Sequence, residues 1–188
     1  PAALGATALA IPVAYLAVRY PSKLSRGLER TAYMGYATPS LAFALGFVFL
    51  SLNAAPFLYQ THLLLIAALA LHFMAEAIGP VRSSLYQARP SLEESARILG
   101  MGPVRAFFAA TFPLLRRGVL TSVAFVFLAT MKELPITFLL APLDFQSLAV
   151  QVWGYIDAAM FAEAAPFALT IMVFSGIFAA LLQFQEAQ

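Results

Sequence analysis

"SLEESARILGMGPVRAFFAATFPLLRR", residues 91–117, is a polar, glycine-broken stretch that carries four of the chain's eleven basic residues. It stands in a chain of 188 residues that is 62% hydrophobic and 11% charged, with a mean hydropathy of +0.84. A soluble domain is about 25% charged, so the surrounding sequence reads as lipid-embedded and this stretch as the exception. Pro90 and Ser91 make a helix start, and Ser91 with Glu94 reads as a capping box. The spacing predicts a helix from about Leu92 to Leu99, with Leu92, Ala96 and Leu99 on one face. Gly100 suits the left-handed position after a helix, "GMGP" turns the chain, Pro103 opens a second helix and Pro113 closes it. A rod this short, about 12 Å long, is no domain. It is either a plain connecting hairpin with Glu94 merely capping, or a knob that projects from a membrane face into something else.

Five apolar runs lie around it, at residues 2–18, 31–52, 61–79, 118–140 and 165–184. Each approaches the roughly 20 residues a spanning helix needs. Pro39 and Ser40 bend or interrupt the second, and Lys132, Glu133 and Pro135 interrupt the fourth. The expected architecture is all-α and integral to the membrane: a single domain over residues 1–188, built as a bundle of about five transmembrane helices. A helical hairpin lies within about 81–117 and a further segment within about 141–164.

Charge sets the orientation. Arg19, Lys23, Arg26 and Arg30 lie between the first two runs, and Arg82, Arg89, Arg97, Arg105, Arg116 and Arg117 between the third and fourth. Loops rich in Lys and Arg stay on the cytoplasmic side, and the two loops are separated by two spans, so alternation agrees. Residues 53–60 carry no charge, while 141–164 hold Asp144, Asp157 and Glu163 without a base. Both are expected to face outward, with the first span starting outside and the carboxyl terminus inside. Segment 141–164 alternates polar with apolar residues. It reads as an outer-face or re-entrant element anchored by Trp153 and Tyr155, or equally as an ordinary amphipathic surface helix. Its acids and Tyr155 are docking contacts or solvated loop residues.

Composition also excludes chemistry. The net charge of +2 and pI near 9.2 would suit nucleic acid, but the bases sit in loops between apolar runs, so no nucleic-acid partner is expected. The chain has no cysteine, which removes disulfides, thiolate metal sites and cysteine nucleophiles. No HExxH, no GxSxG and no paired intramembrane aspartates are present, so no catalytic residue is assigned and no enzyme is expected. His62 and His72 are ten residues apart, off a common helical face, and no metal site is assigned to them. The start at Pro1, without a basic leader, reads as a fragment rather than a signal peptide.

The hairpin resembles a family motif. Permease subunits of binding-protein-dependent ABC importers carry a cytoplasmic loop of the form E-A-A, three residues, G, nine residues, I-x-L-P. Glu94, Ser95, Ala96, Gly100 and Pro113 fall at the matching positions, with Ser95, Ala110 and Phe112 as departures. "YATPSLAFALGFVFL" is similar to the proline-containing span before this loop. "KELPITFLLAPLDFQSLAVQVW" followed by "AAPFALTIMVF" resembles the carboxyl-terminal half of the ferric-iron branch, where two homologous halves are often fused. The likeness runs over residues from about 10 to 183. It implies a multi-pass permease in the inner (plasma) membrane of a bacterium or archaeon, with the family's six spans and hence one span before Pro1. It also implies a second permease half or subunit, a cytoplasmic ABC ATPase dimer that binds ATP and Mg, and an extracytoplasmic solute-binding protein. This chain itself would hold no cofactor. Glu94 would be partly buried against the ATPase, with Arg97 and Arg105 as charged contacts nearby and Gly100 setting the interhelical angle. The resemblance of the "KELP" region points to ferric iron as the solute; thiamine, polyamine and phosphonate importers share the loop motif and are the alternatives.

Lys132, Glu133 and Pro135 form a second constellation. A charge deep in a membrane costs at least about 2.5 kcal/mol and is usually paired or functional. Pro135 frees backbone groups there, as suits a pathway or gate. An interfacial pair with a snorkelling Lys132 is the simpler reading. An ion-coupled secondary transporter would use the same pair as its coupling site. Glu76, near the inner end of the third run, would pair with Arg82 or line the path.

Overall fold

The computed structural model describes residues 1–186, and its regular elements are helices, with no strand among the described residues. The first helix, α1 (Ala2–Arg19), carries a stripe of Ala3, Ala6, Ala10 and Ala14 that is buried against α4 (His62–His72), α5 (Met74–Gln87) and α8 (Phe112–Lys132). Small side chains let helix backbones approach, which drives packing where lipid removes the hydrophobic incentive.

The second expected span is not one helix. It is divided between α2 (Lys23–Ala37) and α3 (Ser40–Ala54), which meet at 107°. Pro39 has no N–H to donate and disfavours helical backbone at Thr38, so the chain turns there. α2 opens with a true capping box: Ser22 Oγ accepts from Ser25 N at 3.1 Å, and Ser25 Oγ accepts from Ser22 N at 2.9 Å. The third expected span is likewise bent, by 53° between α4 and α5. α1, the helix over Pro103–Lys132 and α11 (Phe161–Glu186) are each long and apolar enough to cross a membrane, and the two bent pairs raise the number to five if each is one span.

The hairpin consists of α6 (Pro90–Ile98) and α7 (Pro103–Ala106). Pro113 does not close the second helix. A π-helical turn over Phe107–Thr111 carries α7 into α8 without a break, so that Pro103–Lys132 runs as one helix of 30 residues. Such a turn widens the backbone locally and accommodates a proline ring that would clash with the carbonyl four residues back in a regular helix.

α5 and α8 make the most extensive helix pairing, and Gly118 lets the two backbones approach closely. A Cβ there would lie 2.5 Å from the Pro80 carbonyl oxygen and collide with Ser84. One turn further on, Ser122 Oγ donates to the Ala77 carbonyl at 2.8 Å, and Ile78, Val81, Leu85, Leu115 and Val126 fill the space around them.

α8 stops at Lys132, and the short α9 (Pro135–Leu140) folds back onto α3 and α4. Segment 141–164 contains α10 (Leu148–Asp157), which packs on α11 and α8. Tyr155 stacks on Phe167 at 5.5 Å, and Trp153 is exposed.

Candidate functional site

The α6–α7 hairpin and its seat form the candidate site. Gly100 has φ +87°, and the bonds around it explain why glycine is needed. Met101 N donates to Ala96 O at 3.2 Å and Gly100 N to Arg97 O at 2.9 Å, the pattern that satisfies the last carbonyls of a helix when its C′ residue is left-handed. The capping box expected at Ser91 and Glu94 is absent. The helix begins two residues earlier than Leu92, at Pro90, whose fixed φ suits the first helical position, so Ser91 lies inside it and its carbonyl accepts from Ser95 Oγ at 2.8 Å. Glu94 consequently points outward and is exposed.

The buried acid is its neighbour. Glu93 is 5% exposed and gathers hydrogen bonds from three elements. Tyr15 Oη of α1 donates to its Oε1 at 2.7 Å, Arg97 Nη2 of α6 to the same oxygen at 2.9 Å, and Thr111 Oγ1 of the π-helical turn to Oε2 at 3.0 Å. Burial opposes ionisation of Glu93, but the Tyr15 and Thr111 hydroxyls and the charge of Arg97 outweigh it and hold the carboxyl below its ordinary value. Hydrogen bonds to a charged group are worth about 1.5–3 kcal/mol each, roughly twice neutral ones. Arg19 Nη2 also donates to the Ala88 carbonyl, which binds the end of α1 to the chain just before α6. Tyr15 packs edge-on against Phe107 at 5.2 Å.

The buried face of α6 is set by Glu93 and Ala96. Leu92 and Leu99 are exposed and only Ala96 of that trio is buried, because the carboxylate takes the inner position. Ile98 is 85% exposed, Leu99 79% and Val104 69%, so the tip of the hairpin is an apolar patch on a polar stalk. The predicted residues thus separate: Ala96 packs inward, Arg97 is engaged by Glu93, Gly100 shapes the turn, Pro113 lies within a continuous helix, and Glu94, Ser95 and Arg105 face outward.

The second constellation also separates. Lys132 is exposed, whereas Glu133 is 6% exposed and accepts from Ile136 N, in the first turn of α9, at 3.0 Å. The two side chains do not pair. Nor does Glu76 pair with Arg82: Arg82 Nη1 bridges to Glu29 of α2, and Tyr36 Oη donates to Glu76 at 2.8 Å. These links join residues 40 and 53 positions apart, beyond the reach of any local sequence pattern. Sequence reading also passed over the polar positions of α5 and α8. Ser83, Ser84, Gln87, Arg117 and Thr121 line an open groove of about 730 Å³ between the two helices, and their i, i+4 spacing was the available signal. Among the described residues no three metal-ligating side chains converge. His72 is buried against Phe43 and Phe73 at 4.8 and 4.9 Å, and His62 meets Phe145 at 5.8 Å.

Apolar helices long enough to cross a membrane, interrupted by a polar hairpin with a shaped glycine turn, define a polytopic α-helical membrane protein. The chain belongs to the family described as "Binding-protein-dependent transport system inner membrane component", which it matches over residues 6–187. It is 38% identical over 168 residues to "Fe(3+)-transport system permease protein FbpB 2" of Haemophilus influenzae, covering 89% of this chain and 33% of that protein. The chain thus spans about a third of that relative's length. Its fold is similar to that in the crystal structure of an amino acid ABC transporter with histidines, with a TM-score of 0.58 and 21% identity over 98% of this chain and 89% of the other.

Proposed function

We propose that the chain is the membrane-embedded half of an ATP-driven importer for ferric iron, which passes the ion from an extracytoplasmic binding protein to the cytoplasm. The likeness to an Fe(3+)-transport permease supports the solute, and the exposed Ile98–Leu99–Val104 tip supports the drive. Large apolar side chains at the end of a polar hairpin gain nothing in water. Seated in a cleft of a cytoplasmic ATPase, they are covered and receive its motion. ATP and Mg belong to that ATPase dimer, and a second permease half or subunit faces this one across the solute path. The α5–α8 groove, where Ser83, Ser84, Gln87, Arg117 and Thr121 come together, suits the inner part of that path. Lys132, Glu133 and Pro135, where α8 stops and α9 folds back, suit its outer gate. An ion-coupled carrier would draw on a Lys132–Glu133 pair, and these side chains stand apart.

Ile98→Asp with Leu99→Asp tests the reading in the full-length protein. The double variant is expected to insert normally, to lose copurification of the ATPase, and to abolish ATP-dependent uptake of ferric ion into vesicles supplied with binding protein. Undiminished ATPase retention and uptake would overturn the proposed docking surface. Uptake of another solute but not of ferric ion by the unaltered protein would overturn the substrate.

A further inference from the structure

Glu93 has no part in the exposed face of the hairpin, yet it is the most heavily bonded acid among the described residues. Its position explains a mechanical difficulty. A hairpin of this size held only by apolar contacts can tilt in its seat, and a push on its tip is then absorbed rather than transmitted. A carboxylate with both oxygens engaged by donors from three elements permits one register, since any slide leaves a buried charge unpaired. The donors are also placed for transmission: Tyr15 is on α1, 78 positions away, and Thr111 is in the turn that continues into α8. Both helices pack on α5, so a displacement of α6 reaches the bundle through two routes at once.

Building on the importer reading, we infer that Glu93 is a positioning residue that pins the ATPase-docking hairpin to α1 through Tyr15 and to the π-helical turn through Thr111, so that nucleotide-driven motion of the hairpin moves α1. Arg97 completes the pin by neutralising the buried carboxylate, which leaves Glu94 as the outward-facing acid. Tyr15 sets the direction of the coupling, because its ring is fixed against Phe107 while its hydroxyl holds the acid.

A single added cysteine, in a transporter and ATPase whose other cysteines are replaced, gives a direct test; these 188 residues contribute none of their own. Leu4, 64% exposed near the start of α1, is replaced by cysteine in the complete transporter with its ATPase, and its labelling by a maleimide is timed with and without a non-hydrolysable ATP analogue. With no other change, nucleotide is expected to alter the labelling rate roughly tenfold, as a two-state bias of about 1.4 kcal/mol does. In the Tyr15→Phe and Glu93→Gln backgrounds the change should fall below roughly twofold, with the ATPase still bound and hydrolysing ATP. A merely structural role would lower the yield of complex without altering the response of the complex that forms. If Glu93→Gln fails to retain the ATPase, Tyr15→Phe decides the matter, since it removes one hydroxyl and leaves the charge in place. A full response in Tyr15→Phe overturns the pin while the importer reading stands. An unaltered complex that neither hydrolyses ATP nor responds to nucleotide overturns the importer reading, and the pin with it.

Discussion

Gly118→Ala probes the α5–α8 crossing with the smallest possible change. A Cβ at this position would be 2.5 Å from the Pro80 carbonyl oxygen and 2.9 Å from Ser84 Cβ, where ordinary contact begins near 3.4 Å. Ser84 Oγ can rotate aside, but the Pro80 carbonyl is backbone, so the helices must separate by about 1 Å. Overpacking of this kind costs typically about 1–3 kcal/mol. The separation also stretches the buried Ser122–Ala77 bond of 2.8 Å, whose loss adds about 1 kcal/mol. The total expected is about 2–4 kcal/mol. Gly27→Ala is the matched control: it lies within α2, a Cβ there meets nothing within 4 Å, and the helix gains about 0.5–1 kcal/mol from alanine. Thermal denaturation of the two variants in the same detergent should give opposite signs relative to the unaltered protein. Equal stability of Gly118→Ala and Gly27→Ala would refute the close approach.

Two further outcomes follow from the hairpin. Gly100→Val places a branched side chain at φ +87°, which costs about 1–2 kcal/mol or more, so ATPase copurification should fall and hydrolysis should uncouple from uptake, with membrane insertion unchanged; normal uptake in reconstituted vesicles would refute it. Folding lowers the pKa of Glu93, so its stabilisation is complete above the carboxyl's unfolded pKa and is lost as pH falls through the folded one. Melting curves should show the unaltered protein above Glu93→Gln at neutral pH, with the difference closing in acid; a difference independent of pH would contradict the bonding described.

Local chemistry carried much of this structure. Apolar length announced the lipid-crossing helices, Pro39 announced the break after α2, and Gly100 announced the left-handed turn, because each of these effects depends on a residue and its immediate neighbours. Pro113 misled for the same reason: proline ends a regular helix, and only the π-helical turn before it, set by packing of Phe107 and Thr111 against α1 and α6, lets the helix continue.

The site divides along the same line. The sequence by itself determined that a short polar helix, a glycine turn and the start of a second helix lie within residues 91–117, with the spacing of a permease loop. Which acid faces the protein and which faces a partner was decided by tertiary structure alone. Glu93 and Glu94 are adjacent and chemically alike, and the assignment rests on Tyr15, 78 positions away, and on the helix starting at Pro90, two residues before Leu92. A buried carboxylate needs donors on every side, and those donors come from helices that the chain brings together only when it folds.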